Sequence, residues 1–239
     1  MRWPRIPRPR GRAPAERAGQ VDHDLDHERD RERMVGQQLA ARGIADPDLL
    51  RAFATVPRHL FVEDEDPYGD HALPVGSGQT ISQPYIVARM TQLARPPEGW
   101  TGAPTLEVGT GSGYQAAILA ELGANVTSIE RHPELAREAD RRLTAAGYDG
   151  VRVEVGDGTE GWPPGAPYRS ILVTAGGPSV PQPLLAQLDP NGGRLVMPVG
   201  SRDHQWLTLV ERDGDDVTST ELEPVVFVPL IGRFGLGED

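Results

Sequence analysis

The chain has 239 residues, a formal net charge of −11, no cysteine and no lysine. That length supports one domain with a core of its own, and the composition excludes disulfides, thiolate metal sites, a cysteine nucleophile and Schiff-base chemistry. Residues 1–17 hold six arginines and one acid, so they carry +5 and the remainder −16. So acidic a body argues against a nucleic-acid partner, because phosphate contacts dominate that affinity.

Residues 1–21, with Pro4, Pro7, Pro9 and Pro14 among arginines, read as a disordered extension. Residues 22–239 read as the domain proper: N-terminal helices and a loop over 22–95, then a sheet over 104–239 with edge strands at its end. No apolar run approaches membrane-spanning length and no signal-peptide core is visible. The expectation is a soluble, cytoplasmic monomer. His23 and His27 stand four apart among Asp and Arg, which reads as a solvated helix start; no metal site is expected. A helix is predicted from Asp26 to Arg42, with Met34, Val35 and Leu39 inward and Gly43 as its stop. Asp46-Pro47 opens a second helix with Leu49, Leu50, Phe53 and Val56 inward, and Pro57 ends it. His59 is read as a structural hydrogen-bonding residue.

Residues 72–83 form a polar, glycine-containing loop. Thr80, Ser82 and Gln83 crowd before Pro84, which opens a helix through Tyr85, Val87, Met90 and Leu93. Free N–H groups at such a helix start suit a carboxylate. Ser82 as a plain helix cap is an equal reading of the same pattern.

The stretch LEVGTGSGYQAA at 106–117 organises the rest. An apolar run, Thr105 to Val108, ends in Gly109, Gly111 and Gly113, and a helical pattern follows at once. Strand, glycine turn and helix make a nucleotide-binding unit. A dinucleotide fingerprint would need glycine at 114, where Tyr114 stands, and a P-loop needs the lysine this chain lacks. Glu107 would repel phosphates and attract a cation. The loop therefore suits a nucleoside without pyrophosphate, and S-adenosylmethionine carries both a sulfonium and an ammonium. The E-x-G-x-G-x-G pattern resembles motif I of class I S-adenosylmethionine-dependent methyltransferases, which makes Glu107, Gly109, Thr110, Gly111 and Gly113 cofactor candidates.

A second strand, Asn125 to Ile129, ends at Glu130, where a carboxylate can accept both ribose hydroxyls. A helix from Pro133 to Ala146 follows, with Leu135, Ala139 and Leu143 inward. Strand Val151 to Val155 leads into Gly156-Asp157-Gly158. Further strands are read at Ser170 to Thr174, Arg194 to Val199, Trp206 to Glu211 and Val217 to Val228, with a short helix around Pro183 to Leu188 and a turn at Asp213-Gly214-Asp215. The predicted fold class is α/β: a doubly wound, mostly parallel, seven-stranded Rossmann-like sheet behind an N-terminal helical segment.

GQTISQPYIVARM at 78–90 resembles the signature segment of protein-L-isoaspartate O-methyltransferases. Other matches to that family follow in order: VPRHLFV at 56–62, YGDHALPVG at 68–76, LEVGTGSGYQAA at 106–117, Ser128-Ile129-Glu130, Gly156-Asp157-Gly158 with Gly161-Trp162, VTA at 173–175, GGRLVMPVG at 192–200 and FVPLIG at 227–232. The resemblance covers about residues 30–232. It implies methylation of the α-carboxylate of L-isoaspartyl, and also D-aspartyl, residues in damaged proteins and peptides, with S-adenosyl-L-methionine as cofactor. It implies that Asp157 meets the adenine amine, with Gly158 beside it; a turn aspartate before glycine is the plain alternative for Asp157. Thr80, Ile81, Ser82 and Gln83 are the expected carboxylate-binding segment, with Ser82 the catalytic candidate, and Val228, Pro229 and Leu230 the wall of the substrate site. Gly176-Gly177 stands where the family often has Ala-Ala and is expected to loosen that loop. Homologues acting on aspartates of maturing peptides tend to carry extra C-terminal sequence, and this chain stops soon after FVPLIG. The rival readings are such a peptide-maturation enzyme, a small-molecule methyltransferase and a catalytically silent binder that keeps the cofactor pocket.

Overall fold

The computed structural model describes residues 26–237. The extension read over 1–21 and His23 lie outside the described residues. Helix α1 runs through 26–33 and continues as a π-helical segment, Met34–Leu39, and a 3-10 turn, Ala40–Arg42. The single α-helix expected here is thus widened in its middle. Met34 and Leu39, five residues apart, are both fully buried; α-helical spacing would splay them, and the wider turn brings both to the core. Gly43 ends the segment at φ 93°. Helix α2, Pro47–Thr55, is capped by Asp46, whose carboxylate accepts from Asp48 and Leu49 N–H.

The loop expected at 72–83 contains a two-stranded hairpin, β1 (Leu73–Gly76) with β2 (Gln79–Ile81). Its two-residue turn, Ser77-Gly78, has positive φ at both positions, 50° and 68°, as a tight hairpin requires. Helix α3, Pro84–Ala94, follows.

The main sheet has seven strands in the order β5-β4-β3-β6-β7-β8-β9. They are β3 (Pro104–Val108), β4 (Asn125–Glu130), β5 (Arg152–Val155), β6 (Ser170–Val173), β7 (Asn191–Gly200), β8 (Gln205–Asp213) and β9 (Asp216–Val225). The first five pair in parallel; β7-β8 and β8-β9 are antiparallel. β6 is buried at every position, the continuous apolar run of a strand covered on both faces. Helices α4 (Tyr114–Glu121), α5 (Pro133–Ala145) and α6 (Gln182–Gln187) supply crossovers. Helix α4 buries residues 114–119 without a polar face, because the N-terminal helices cover its outer side: Phe53 and Phe61 meet the Tyr114 ring edge-on, at 6.1 and 5.7 Å between centroids.

From β3 the chain winds outward to β4 and β5, then returns to β6 on the other flank of β3. That reversal opens a crevice at the carboxyl ends of β3, β4 and β6, where α/β sheets take their ligands. Strand β9 stops at Val225, short of the predicted Val228. The next residues leave the sheet: Gly176 N–H donates to Val228 O, and Leu230 N–H to Gly176 O. This strap lies over the crevice. Among the described residues no helix is long and apolar enough to cross a membrane.

Candidate active site

The crevice holds a cleft at the carboxyl ends of the strands. Gly109 and Gly111 line it from β3, Glu130 from β4, Gly158 from the turn after β5, Thr174 and Ala175 from β6, and Val228, Pro229 and Leu230 from the strap. The glycine loop is pinned to the end of β4. Gly109 and Thr110 N–H both donate to Ile129 O, and Gly111 N–H donates to Glu130 Oε2 at 2.9 Å. At Gly109, φ is 96° and a Cβ would lie 2.4 Å from Thr174 Oγ1, the hydroxyl that donates to Gly109 O. At Gly111 a Cβ would meet nothing within 4 Å, so the backbone there is open to the cleft.

A second compartment adjoins the first and shares Thr80, Gly109, Gly111 and Thr174 with it. Ile81, Ser82, Glu107, Thr110 and Gln115 also line it. Thr110 turns its hydroxyl inward to Ser128 Oγ at 2.6 Å, and Ser128 Oγ donates to Glu107 Oε2. Since that proton of Ser128 is committed to Glu107, the Thr110 hydroxyl is the donor to Ser128. Glu107 is wholly buried, and desolvation pushes its pKa up to about 8; the Ser128 bond works against the rise and the neighbouring Glu130 charge adds to it. A shift in that direction favours the neutral carboxyl near pH 7, and a cation placed beside Glu107 would favour the ionised form.

The fit to the expected cofactor rests on unused acceptors. Glu130 spends one lone pair on Gly111 N–H and one on His132 N–H, which leaves two for a diol. Glu107 Oε1 and Gln115 Oε1 are buried with no hydrogen-bond partner among the described residues. An ammonium group in the second compartment would satisfy such acceptors.

Other predicted residues are placed differently. Asp157 lies outside the main cleft, on a neighbouring depression with Arg131, Gly156 and Gly232. Its Oδ1 accepts from Thr159 N–H and hydroxyl, and its Oδ2 from Arg233 N–H. Partial burial pushes its pKa up, but these donors outweigh burial and hold it below the ordinary aspartate value. Gly113 lines neither compartment; it starts α4 at φ 90°, against Leu143. Thr80 and Ile81 belong to strand β2 rather than to the predicted loop, and Gln83 faces a separate groove beside Trp206 and Phe227. The Gly176-Gly177 loop is held rather than loosened. It is bridged to Pro229 and Val199, and a Cβ on Gly176 would lie 2.4–2.6 Å from the Gln205 amide. His59 hydrogen-bonds Tyr68 through Nδ1 at 2.7 Å and stacks on His27, in keeping with a structural role.

Thr174, which clasps the glycine loop, and Arg58, whose partners are backbone carbonyls distant in sequence, stand within recognised matches but are given no role there. Ser128 was part of a recognised match, but its bond to Glu107 had no signal in the spacing.

The sequence matches the family described as Protein-L-isoaspartate(D-aspartate) O-methyltransferase (PCMT) over residues 29–235. The chain belongs to this family. It is an S-adenosyl-L-methionine-dependent methyltransferase of protein repair. A protein-L-isoaspartate O-methyltransferase of Methanoregula boonei is 53% identical over 210 residues, covering 86% of this chain and 94% of the relative. One of Methanoculleus marisnigri is 54% identical over 211 residues, covering 87% and 94%. A solved protein-L-isoaspartate O-methyltransferase structure superposes with a TM-score of 0.76 at 26% identity, over 86% of this chain and 67% of that one. A Plasmodium falciparum structure, solved in complex with S-adenosyl-L-homocysteine, shares the fold with a TM-score of 0.71 at 22% identity, over 86% and 98%.

Proposed function

We propose that Ser82 and the backbone around it receive the free α-carboxylate of an L-isoaspartyl residue, while Glu107, the Gly109–Gly111 loop and Glu130 hold S-adenosyl-L-methionine. The carrying observation is that Ser82 lines the same compartment as Glu107 and Gln115, which joins the Glu130 cleft at Thr80, Gly109, Gly111 and Thr174, so a carboxylate on Ser82 would lie beside the cofactor. When bound, S-adenosyl-L-methionine supplies an electrophilic methyl group. The chain's own residues supply placement. The substrate carboxylate, with a reference pKa of about 3.3–3.7, is already ionised at neutral pH and needs no base to activate it. The Ser82 hydroxyl donates to one carboxylate oxygen and fixes the direction of the other, so the gain comes from orientation. Val228, Pro229 and Leu230, which line the adjoining cleft, would wall the isoaspartyl side. After release, the following backbone amide nitrogen attacks the methyl ester carbonyl, loses its proton and expels methanol. The resulting succinimide is hydrolysed in part to the normal aspartyl linkage.

Damaged proteins and peptides carrying isoaspartyl residues are accordingly the partners. Incubation with methyl-labelled S-adenosyl-L-methionine and an isoaspartyl peptide tests the reading. Label should appear on the peptide and leave as methanol under mild base. Base-stable label, or none on the peptide, would contradict esterification.

A further inference from the structure

Arg58 is fully buried and forms no ion pair among the described residues. Its Nε donates to Pro67 O and its Nη2 to Ser82 O, each at 2.8 Å, and its guanidinium carbon lies 4.8 Å from the centre of the Tyr114 ring. Tyr114 is the first residue of α4, directly after the glycine loop. One buried cation thus spans from the start of the cofactor helix to the carbonyl of the residue assigned to the substrate carboxylate. Retaining a buried charge without a carboxylate partner costs stability. Burial lowers the Arg58 pKa, and the aromatic hydroxyls and Asp70 partly offset that.

The Ser82–Gln83 peptide explains what the arrangement achieves. A trans peptide points its C=O and N–H in opposite directions. With Ser82 O anchored on Arg58, the Gln83 N–H is turned away from the guanidinium, and the bond polarises that N–H as a donor. The far end of the segment is anchored as well: Tyr85 N–H donates to Asp70 Oδ1 at 3.3 Å, and Asp70 Oδ2 pairs with Arg42, whose guanidinium covers the Tyr85 ring at 3.5 Å.

We infer that Arg58 is a positioning residue for the substrate carboxylate: it fixes the Ser82–Gln83 peptide plane against the cofactor helix and so sets where the serine hydroxyl and the Gln83 N–H meet the substrate. The inference rests on the assignment of the carboxylate to Ser82. It is tested with the whole chain saturated with S-adenosyl-L-homocysteine, measuring isoaspartyl-peptide Kd, and in turnover, measuring kcat and KM. The variants are Arg58→Lys, Arg58→Gln and Ser82→Ala. Arg58→Gln should raise peptide Kd and KM about tenfold, the scale of one lost charged hydrogen bond. S-adenosyl-L-homocysteine affinity should stay within about twofold, and Arg58→Lys should recover part of the loss seen in Arg58→Gln. Parallel losses of both affinities would reduce Arg58 to scaffolding and overturn the inference, as would unchanged peptide Kd. Should Ser82→Ala leave peptide Kd unchanged, the Ser82 assignment itself fails; a response to Ser82→Ala but not to the Arg58 variants sinks only the present inference. If neither Arg58 variant folds, the wild-type Arg58 side-chain N–H resonances decide. They should shift when isoaspartyl peptide joins the S-adenosyl-L-homocysteine complex, and their indifference to peptide would overturn the inference.

Discussion

Glu107→Gln should flatten the pH dependence of stability in the ligand-free protein. The folded pKa of Glu107 is about 8 against an ordinary value of 4.5, chiefly through desolvation. Between those values the folded state keeps a proton that the unfolded state has lost, so stability falls as pH rises. It is highest below about pH 4.5, and the decline ends as pH passes about 8. One proton gives a slope of about 1.4 kcal/mol per pH unit, so the full span is worth about 5 kcal/mol. Glutamine keeps the shape and can still accept from Ser128, but it never ionises. Urea unfolding across pH, analysed by linear extrapolation, measures the difference between the two proteins. From pH 5.5 to pH 8.5 the variant should gain about 3 kcal/mol on the wild type. Parallel stability curves would refute the reasoning, because they would mean that Glu107 is ionised in the folded protein or titrates no differently when unfolded.

Binding of S-adenosyl-L-homocysteine near pH 7 should release close to one proton as its ammonium ionises Glu107. Calorimetry in buffers of different ionisation enthalpy measures this, and Glu107→Gln should abolish the release. Glu130→Ala should weaken the same ligand by about 1–3 kcal/mol, from lost bonds to a charged acceptor; unchanged affinity in titration calorimetry would remove Glu130 from the site. Gly176→Ala should cost about 1–3 kcal/mol of stability, because its Cβ displaces the Gln205 amide from Phe227 N–H and O. Denaturant midpoints check this, and peptide KM should rise with it as the 226–230 strap loosens.

The sheet was legible because its strands carry strong signals: short, mostly apolar segments at Thr105–Val108 and Ser170–Val173, each followed within three residues by glycine. Glu130 was legible from its place at a strand end, and the strap residues Val228 to Leu230 from family resemblance. The β1-β2 hairpin was not. Its strands have four and three residues and include Pro74 and Gly76, too short and too irregular for a period of two to show. The π segment was hidden because Met34 and Leu39 each fit an α-helical stripe through other neighbours. Asp157 shows a different limit: its turn chemistry was visible, but its acceptance of Arg233 N–H, 76 residues away, was not. Nor could spacing show that Gly176 faces the Gln205 amide rather than open space.

The central claim is that this site esterifies an isoaspartyl α-carboxylate placed by Ser82 and walled by Val228, Pro229 and Leu230. Initial rates of methyl transfer to an isoaspartyl peptide and to its α-linked aspartyl twin, at equal concentration and pH, test it most directly. The account predicts methylation of the isoaspartyl peptide with the aspartyl twin left essentially untouched. Equal rates on the two would contradict it, however fast both reactions were.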